Sequence, residues 1–195
     1  MEIKFEKFGF YNVNTAYLQY LNTVDSEVQF TQEKDYEQKP FLGIIILVNK
    51  YNYFIPLTSG KRKHARWKNV GAAHYLVYEK VKKEELHKND IFKPISNEYA
   101  LKIFAALDLK KMIPIQTGLY QPIDFSSLSN RNYANLLEKE YLFCKSIQDG
   151  IISKVSSIYK EQKDSGRVYP MYCNFSKLEE ACDKYIHPET NTQTR

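Results

Sequence analysis

The chain has 195 residues, of which 43% are hydrophobic and 14% aromatic, and a formal net charge of +5. That is enough apolar surface for one domain whose core offsets the entropy lost on folding. No apolar run approaches the ~20 residues of a membrane-spanning helix, and the first residues lack the basic and apolar regions of a signal peptide. Three cysteines, an odd number without a CxxC pair, favour free thiols in a reducing cytoplasm, where we expect the protein to be located.

The first third of the chain predicts strands around one helix. Asn14 is placed to cap a helix whose apolar residues recur at helical spacing. Pro56 is poorly suited to a central strand, so we expect its strand to end or bulge there, with Thr58 and Ser59 at the strand end. The predicted elements are a strand at 8–13, a helix at 15–24, a polar surface loop at 25–40, a strand at 41–48, a hairpin turn at 49–52 and a strand at 53–57.

The remainder of the chain changes from strands to helices. Asn130 and Asn174 each precede a segment with helical periodicity, and the tail at 187–195 lacks apolar residues and predicts disorder. We therefore expect a single α+β domain over residues 1–186. The predicted elements are a strand at 73–78, a charged segment at 79–90, apolar stretches at 100–107 and 111–115, and helices from about 130, at 150–162 and at 175–186.

The positive charge is concentrated in the middle of the chain. Residues 59–111 carry 13 basic and 6 acidic side chains, a net charge of +7, whereas residues 1–58 carry 5 and 7 and residues 112–195 carry 10 and 10. A local excess of this size favours an anionic partner such as RNA, DNA or an acidic protein. The alternative is a solvated surface without a partner.

The stretch YFIPLTSGKRKHARWK, residues 53–68, opens this basic segment. Gly60-Lys61 suggests a phosphate-binding loop, but a Walker A motif would need glycine and a hydroxyl where the chain has Ile55 and Arg62. The four histidines are scattered without the spacing of a metal site, and there is no GxSxG motif. Nucleotide hydrolysis is thereby excluded, and neither metal nor cofactor chemistry is indicated.

A metal-free ribonuclease fits the same stretch better. Such an enzyme uses the 2′-hydroxyl of the RNA as its nucleophile and supplies proton transfer and donors to the charge that develops on the phosphate. Lys61 is a compact cation suited to that charge, and Thr58 and Ser59 offer hydroxyl donors beside it. His64 could be a general acid or a structural residue. The candidate RNA-binding residues are Arg62, Lys63, His64, Arg66, Trp67 and Lys68, and the alternative is a turn with solvated cations.

Four blocks of the sequence resemble the ToxN/AbiQ family of endoribonuclease toxins from type III toxin–antitoxin systems, which are neutralised by an RNA. The first is KPFLGIIIL followed by YNYFIPLTSGKRKH, which matches an apolar strand, a hairpin and the pattern P-L-[TS]-S-x-K with a histidine after it. The others are FYNVNTAYLQYL, LDLKKMIPI and NFSKLEEACDKY. In this order the blocks cover nearly the whole chain.

The resemblance implies catalytic roles at the matching positions. Gly60 stands where the family commonly has proline, which predicts a looser loop without loss of a functional group. Taken alone, Tyr17 would be interpreted as a core residue and Lys39 as a loop lysine. The implied catalytic residues are Thr58, Ser59 and Lys61 at the strand end, Lys39 ahead of the apolar strand, and Tyr17 on the first helix.

The resemblance also implies a compact antiparallel β-barrel-like core of the Kid/MazF type, decorated by helices. The implied activity is metal-independent, sequence-preferring RNA cleavage that leaves 2′,3′-cyclic phosphate and 5′-hydroxyl ends, with no cofactor. The implied partner is a repeat antitoxin RNA folded as a pseudoknot, which the toxin processes and then holds in a symmetric assembly, and the implied role is abortive infection after phage attack. A non-catalytic nucleic-acid-binding regulator and an inactive structural relative are the alternatives.

Overall fold

The computed structural model describes residues 3–4, 8–30, 42–48 and 50–186, which contain nine strands and four α-helices. The tail predicted at 187–195 and most of the loop predicted at 25–40 lie outside these ranges. The elements are β1 Ile3–Lys4, β2 Tyr11–Val13, α1 Thr15–Val24, β3 Leu42–Val48, β4 Tyr51–Ser59, β5 His74–Lys82, β6 Phe92–Pro94, β7 Tyr99–Asp108, β8 Ile113–Ile115, β9 Tyr120–Pro122, α2 Arg131–Ser146, α3 Gln148–Ser165 and α4 Phe175–Lys184.

Three of these helices begin at an asparagine cap. The side-chain oxygens of Asn14, Asn130 and Asn174 accept hydrogen bonds from the backbone N–H three residues further on, at 3.0, 3.0 and 3.1 Å. Each bond satisfies an amide that has no partner within its helix. α3 ends at Gly166, whose φ of +67° is the left-handed conformation that glycine adopts most easily. The predicted helices are therefore confirmed, with ends that differ by a few residues.

The strands form a large antiparallel sheet in the order β1-β3-β4-β7-β5, with β6 on β7 and β8 on β4, and a separate β2-β9 pair. The α+β class and the antiparallel core are confirmed. Among the described strands, β1 and β5 lie at opposite edges and do not pair, so the sheet does not close into a barrel. β5 is longer than predicted and continues to Lys82, because the charged residues after Tyr78 pair with the first half of β7.

The prediction that Pro56 ends or bulges its strand is wrong, because β4 runs through this residue to Ser59. On one edge β4 pairs with β3 throughout, with Pro56 opposite Gly43. On the other edge β8 pairs with residues 52–54 and β7 with residues 57–59. Pro56 therefore lies where β4 changes partners, and its missing N–H interrupts no ladder on that edge.

The main hydrophobic core lies between the large sheet and the helices, and it includes residues of all four helices. A smaller cluster of Leu76, Ile103 and Ala106 lies beneath the segment that follows β4 and is covered by Trp67. No helix in the described part of the chain is long and apolar enough to cross a membrane. The end of β4 pairs with β7, which contributes residues to both clusters.

Candidate active site

The end of β4 carries the two hydroxyl residues that the sequence singles out. Thr58 and Ser59 pair in register with Ala106 and Ala105 of β7. The Thr58 hydroxyl donates to the carbonyl oxygen of Ala106 at 3.3 Å, whereas Ser59 is exposed and its hydroxyl has no hydrogen-bond partner among the described residues. Successive residues of a strand face opposite sides of the sheet. Ser59 is therefore the hydroxyl that is free to contact a ligand.

Gly60 fastens the loop instead of loosening it. β7 has a bulge at Phe104, since Val77 pairs with Ala105 but Tyr78 pairs with Ile103. The Gly60 N–H donates to the carbonyl oxygen of Phe104 at 2.6 Å. A Cβ atom at position 60 would lie 2.8 Å from the Ile103 carbonyl oxygen, so only glycine fits this approach without a shift. The expectation of a looser loop is not met in this structure.

His64 lies under the loop and holds Lys61 through its backbone. The Lys61 N–H donates to His64 Nδ1 at 3.1 Å, and the His64 N–H donates to the Lys61 carbonyl oxygen at 2.8 Å. His64 is 1% exposed. Burial lowers the pKa of its imidazole, and the positive charges of Lys63 and Lys61 lower it further. A buried, neutral imidazole does not offer RNA a cation, which favours the structural role among those open from the sequence.

The remaining polar residues of the segment point to solvent. Residues 61–68, which we call the cationic loop, contain a 3-10 turn at Arg62–Arg66. None of the loop's cations forms an ion pair with an acid in the part of the chain that the structure describes. Unpaired, solvated cations on a fixed backbone provide a surface for phosphate groups. The exposed cations are Lys61, Arg62, Lys63, Arg66 and Lys68.

Trp67 anchors the cationic loop. Its ring lies 4.5 Å from the His64 ring and 4.6 Å from the His74 ring, between centroids, and it covers the smaller hydrophobic cluster. Lys93 donates to its backbone carbonyl oxygen, and the Lys63 ammonium lies 5.5 Å from its ring centroid. Because the ring is half-buried against two imidazoles, packing occupies much of the surface on which a base was predicted to stack.

Tyr17, the implied catalytic residue of the first helix, lies in the hydrophobic core. Tyr17 is fully buried, its hydroxyl donates to the Pro114 carbonyl oxygen at 2.8 Å, and burial raises the pKa of that hydroxyl. Pro114 faces Tyr53, which precedes Thr58 by about 16 Å along β4 at the usual rise per residue. Tyr17 is thus a core residue in this structure and its catalytic role stays a prediction, as does that of Lys39, which lies outside the described residues.

A buried polar cluster around the Glu179 carboxylate lies near the other end of β4 and was not found from the sequence. Glu179 accepts hydrogen bonds from the Tyr53 hydroxyl at 2.8 Å and the Tyr159 hydroxyl at 2.6 Å, and it also pairs with Lys163. The sequence signal that could have indicated this cluster is Glu179, a carboxylate on the otherwise apolar face of α4. In the described residues, no group of three or more His, Cys, Asp or Glu side chains could hold a metal ion.

One family model and three curated relatives match most of the chain, and all of them are ToxN or AbiQ proteins. The model of the family described as Toxin ToxN, type III toxin–antitoxin system, matches residues 9–183. The Endoribonuclease ToxN of Bacillus thuringiensis subsp. kurstaki is 28% identical, covering 90% of this chain and 83% of that protein. The Endoribonuclease ToxN of Pectobacterium atrosepticum is 29% identical, covering 88% and 90% respectively. The Endoribonuclease AbiQ of Lactococcus lactis subsp. lactis is 23% identical, covering 93% and 91%.

Solved structures give the same picture of the fold. A type III toxin inhibited by a non-coding RNA pseudoknot is 27% identical with a TM-score of 0.66, over 92% of this chain and 98% of the other. The structure of a bacterial antiviral system regulated by a processed non-coding RNA is 26% identical with a TM-score of 0.68, and the match covers 91% of this chain and 98% of the other. The structure of lactococcal AbiQ is 20% identical with a TM-score of 0.64 over 91% of this chain and 96% of the other, and it supports the fold. With the family model matched over residues 9–183, the chain belongs to the ToxN family of toxins from type III toxin–antitoxin systems.

Proposed function

We propose that this protein is an endoribonuclease toxin whose active site lies at the end of β4. Two relatives named endoribonucleases, at 28% and 29% identity, support the activity. The observation that carries the proposal is the pairing of a free Ser59 hydroxyl with the unpaired Lys61 cation on a loop whose backbone is fixed on both sides. Groups held in place before the substrate binds are what stabilisation of a developing charge requires.

The proposed reaction needs no metal ion. The 2′-oxygen of the RNA attacks the adjacent phosphorus and the bond to the 5′-oxygen of the next nucleotide breaks, so the products are a 2′,3′-cyclic phosphate and a 5′-hydroxyl. One proton leaves the 2′-hydroxyl and one reaches the departing 5′-oxygen. Ser59 and Lys61 donate to the phosphate oxygens on which negative charge accumulates. Thr58 and Lys39 are further members of the proposed site.

The cationic loop holds the RNA on either side of the cut. Arg62, Lys63, Arg66 and Lys68 are exposed and contact flanking phosphates, so affinity falls steeply with salt concentration. We further propose that the partner is a repeat antitoxin RNA folded as a pseudoknot, which occupies the same surface after being processed. The solved relatives with an RNA inhibitor or regulator support this partner. The site of action is the cytoplasm, where thiols such as the three buried cysteines stay reduced.

The activity is tested by incubating the purified protein with single-stranded RNA in EDTA and analysing the ends. Products with 2′,3′-cyclic phosphate and 5′-hydroxyl ends are expected. Cleavage that EDTA abolishes and magnesium restores would contradict the metal-free mechanism. Salt-dependent binding without cleavage under any condition would favour the alternative, a nucleic-acid-binding regulator that is not an enzyme.

The partner is tested by purifying the protein from its native operon and analysing what accompanies it. We expect repeat RNA that crosslinks to residues 58–68, because the unpaired cations lie there. A small protein bound in place of RNA would overturn the partner assignment.

A further inference from the structure

His64 contacts both backbone hydrogen-bonding groups of Lys61 but is itself removed from solvent. Its Nδ1 accepts from the Lys61 N–H at 3.1 Å, and its own backbone N–H donates to the Lys61 carbonyl oxygen at 2.8 Å. With 1% of the residue exposed, the imidazole cannot reach a phosphate on the surface without leaving its place. In the folded protein this side chain therefore accepts from the Lys61 N–H and packs against the Trp67 ring.

We propose that His64 is a positioning residue for Lys61, and that its Nδ1 acceptor sets the direction in which the lysine side chain leaves the loop. The inference rests on the proposed function, in which the Lys61 cation stabilises the reacting phosphate. It adds a residue that acts on the reaction through a backbone hydrogen bond and not by proton transfer.

Lys61 needs such a support because its side chain has none of its own. The ammonium group is exposed and without an acid partner in the described chain, on a flexible four-carbon stem. What remains fixed is the extended backbone of Lys61, with φ −127° and ψ 153°. On its N-terminal side Gly60 is held by the Phe104 carbonyl oxygen, and on its C-terminal side His64 completes the support. Displacing either contact redirects the cation relative to the phosphate.

The surroundings of His64 keep it in the form that can accept. Accepting from an N–H at Nδ1 requires the neutral imidazole with its proton on Nε2. Burial, followed by the charges of Lys63, Lys61 and His74, disfavours the cation, and Asp108 favours it. The pKa of His64 is thus lowered, so the neutral form is fully present above the ordinary value of about 6.5 and is lost as the pH falls towards the lowered pKa.

Two substitutions separate positioning from folding. In His64→Asn the side-chain oxygen occupies the place of Nδ1 and can accept from the Lys61 N–H. In His64→Gln the amide reaches the place of Nε2 and leaves Nδ1 without a substitute. We expect His64→Gln to lower the single-turnover cleavage rate by about tenfold to 10²-fold, and His64→Asn to keep a rate close to wild type although asparagine fills the site less well. Cleavage by both variants reduced only in proportion to their unfolded fraction would overturn the inference.

A second readout does not depend on cleavage. Amide hydrogen exchange of Lys61 is expected to be protected in the wild type and in His64→Asn and to become faster by about tenfold in His64→Gln. An unprotected Lys61 amide in the wild type would overturn the inference. If the wild type cleaves no RNA, the proposed function fails, but the exchange result still decides whether His64 holds Lys61. The wild-type rate should also fall in acid, at a pH below the ordinary imidazole pKa because the pKa of His64 is lowered, and this fall should be absent from His64→Asn.

Discussion

The charged groups at the two ends of β4 differ in burial and in pairing. Near its beginning, Tyr53 contributes to a buried cluster in which the Glu179 carboxylate accepts from two tyrosine hydroxyls and pairs with Lys163. At its end, Ser59 and the cationic loop present a free hydroxyl and unpaired cations to solvent. A buried charge must be satisfied within the protein, whereas a solvated cation can remain unpaired at little cost. The first end therefore stabilises the fold, and the second is available for an anionic ligand.

The contrast holds for side chains and not for the backbone. The cations of the cationic loop form no ion pair with a described acid, but the backbone is held at Gly60 by Phe104, at Lys61 by His64 and at Trp67 by Lys93. Free functional groups on a fixed backbone are characteristic of preorganised sites, since little order is lost when a ligand binds.

The largest expected effect is on catalysis at the exposed end. Ser59→Ala and Lys61→Ala should each lower the cleavage rate by about 10²–10³-fold, because each removes a donor to the developing charge. Their free energies of unfolding should stay at the wild-type value, since both side chains are exposed. Single-turnover cleavage and urea denaturation measure the two quantities, with the exposed Ser129→Ala as the matched control. A wild-type rate in Ser59→Ala would remove Ser59 from the site.

The opposite result is expected at the buried end. Glu179→Ala should lower the free energy of unfolding by about 3 kcal/mol, because two buried hydroxyls and Lys163 lose their acceptor. Cleavage per folded molecule should be unchanged. Urea denaturation measures the loss, and Glu180→Ala, on the exposed face of the same helix, is the control that should change stability little. A rate lost in Glu179→Ala molecules that remain folded would show that the two ends of β4 are not independent.

A smaller effect on the cleavage rate is expected at Gly60, which supports the backbone between Ser59 and Lys61. Gly60→Ala should lower the cleavage rate by about tenfold, since a Cβ atom 2.8 Å from the Ile103 carbonyl oxygen forces the loop to shift while Ser59 and Lys61 are retained. The rate is measured at saturating RNA and corrected for the folded fraction. An unchanged rate would mean that the loop tolerates displacement and that its fixed backbone is not needed for catalysis.

The smallest effect is expected from a single flanking cation. Lys63→Ala should weaken RNA binding and reduce the slope of log affinity against log salt by about 0.7, the value for one lost phosphate contact to a single strand. The cleavage rate at saturating RNA should not change. Fluorescence anisotropy titrations at several salt concentrations measure the slope. Lys177→Ala, an exposed lysine of α4, should leave it unaltered, and equal slopes for both variants would place the RNA elsewhere.

Local signals in the sequence were sufficient for the helices, whereas Ser59 was placed at a strand end on the basis of a proline that does not end the strand. Asn14, Asn130 and Asn174 cap their helices through bonds to residues three positions away, so pattern alone locates them. The passage of β4 through Pro56 could not be predicted in this way, because it depends on where β8 ends and β7 begins beside it. Propensity describes one chain segment, whereas tolerance of proline depends on its neighbours in the sheet.

The candidate site also contains residues that were singled out from the sequence and contacts between distant residues that were not. Ser59, Lys61 and the exposed cations were singled out from residue type together with the resemblance to the family, and their roles stay predictions. The contact of Tyr17 with Pro114 joins residues 97 positions apart, and that of Tyr53 with Glu179 joins residues 126 apart. Such pairs leave no trace in local periodicity. The close approach of Gly60 to β7 could not be predicted from the sequence either, because it depends on a bulge in a strand that is distant along the chain.

That bulge has a consequence for any mutational map of the gene. Phe104 is the extra residue of β7 and supplies the carbonyl oxygen to which Gly60 donates, although it has no reactive side chain. Alanine scanning preserves the carbonyl and would score position 104 as a packing residue. Removing its codon would instead take this carbonyl away and join Ile103 directly to Ala105, which would leave the two faces of β7 as they are but remove the bulge. Libraries of single-codon deletions would therefore reveal a sensitivity at this position that libraries of substitutions do not register.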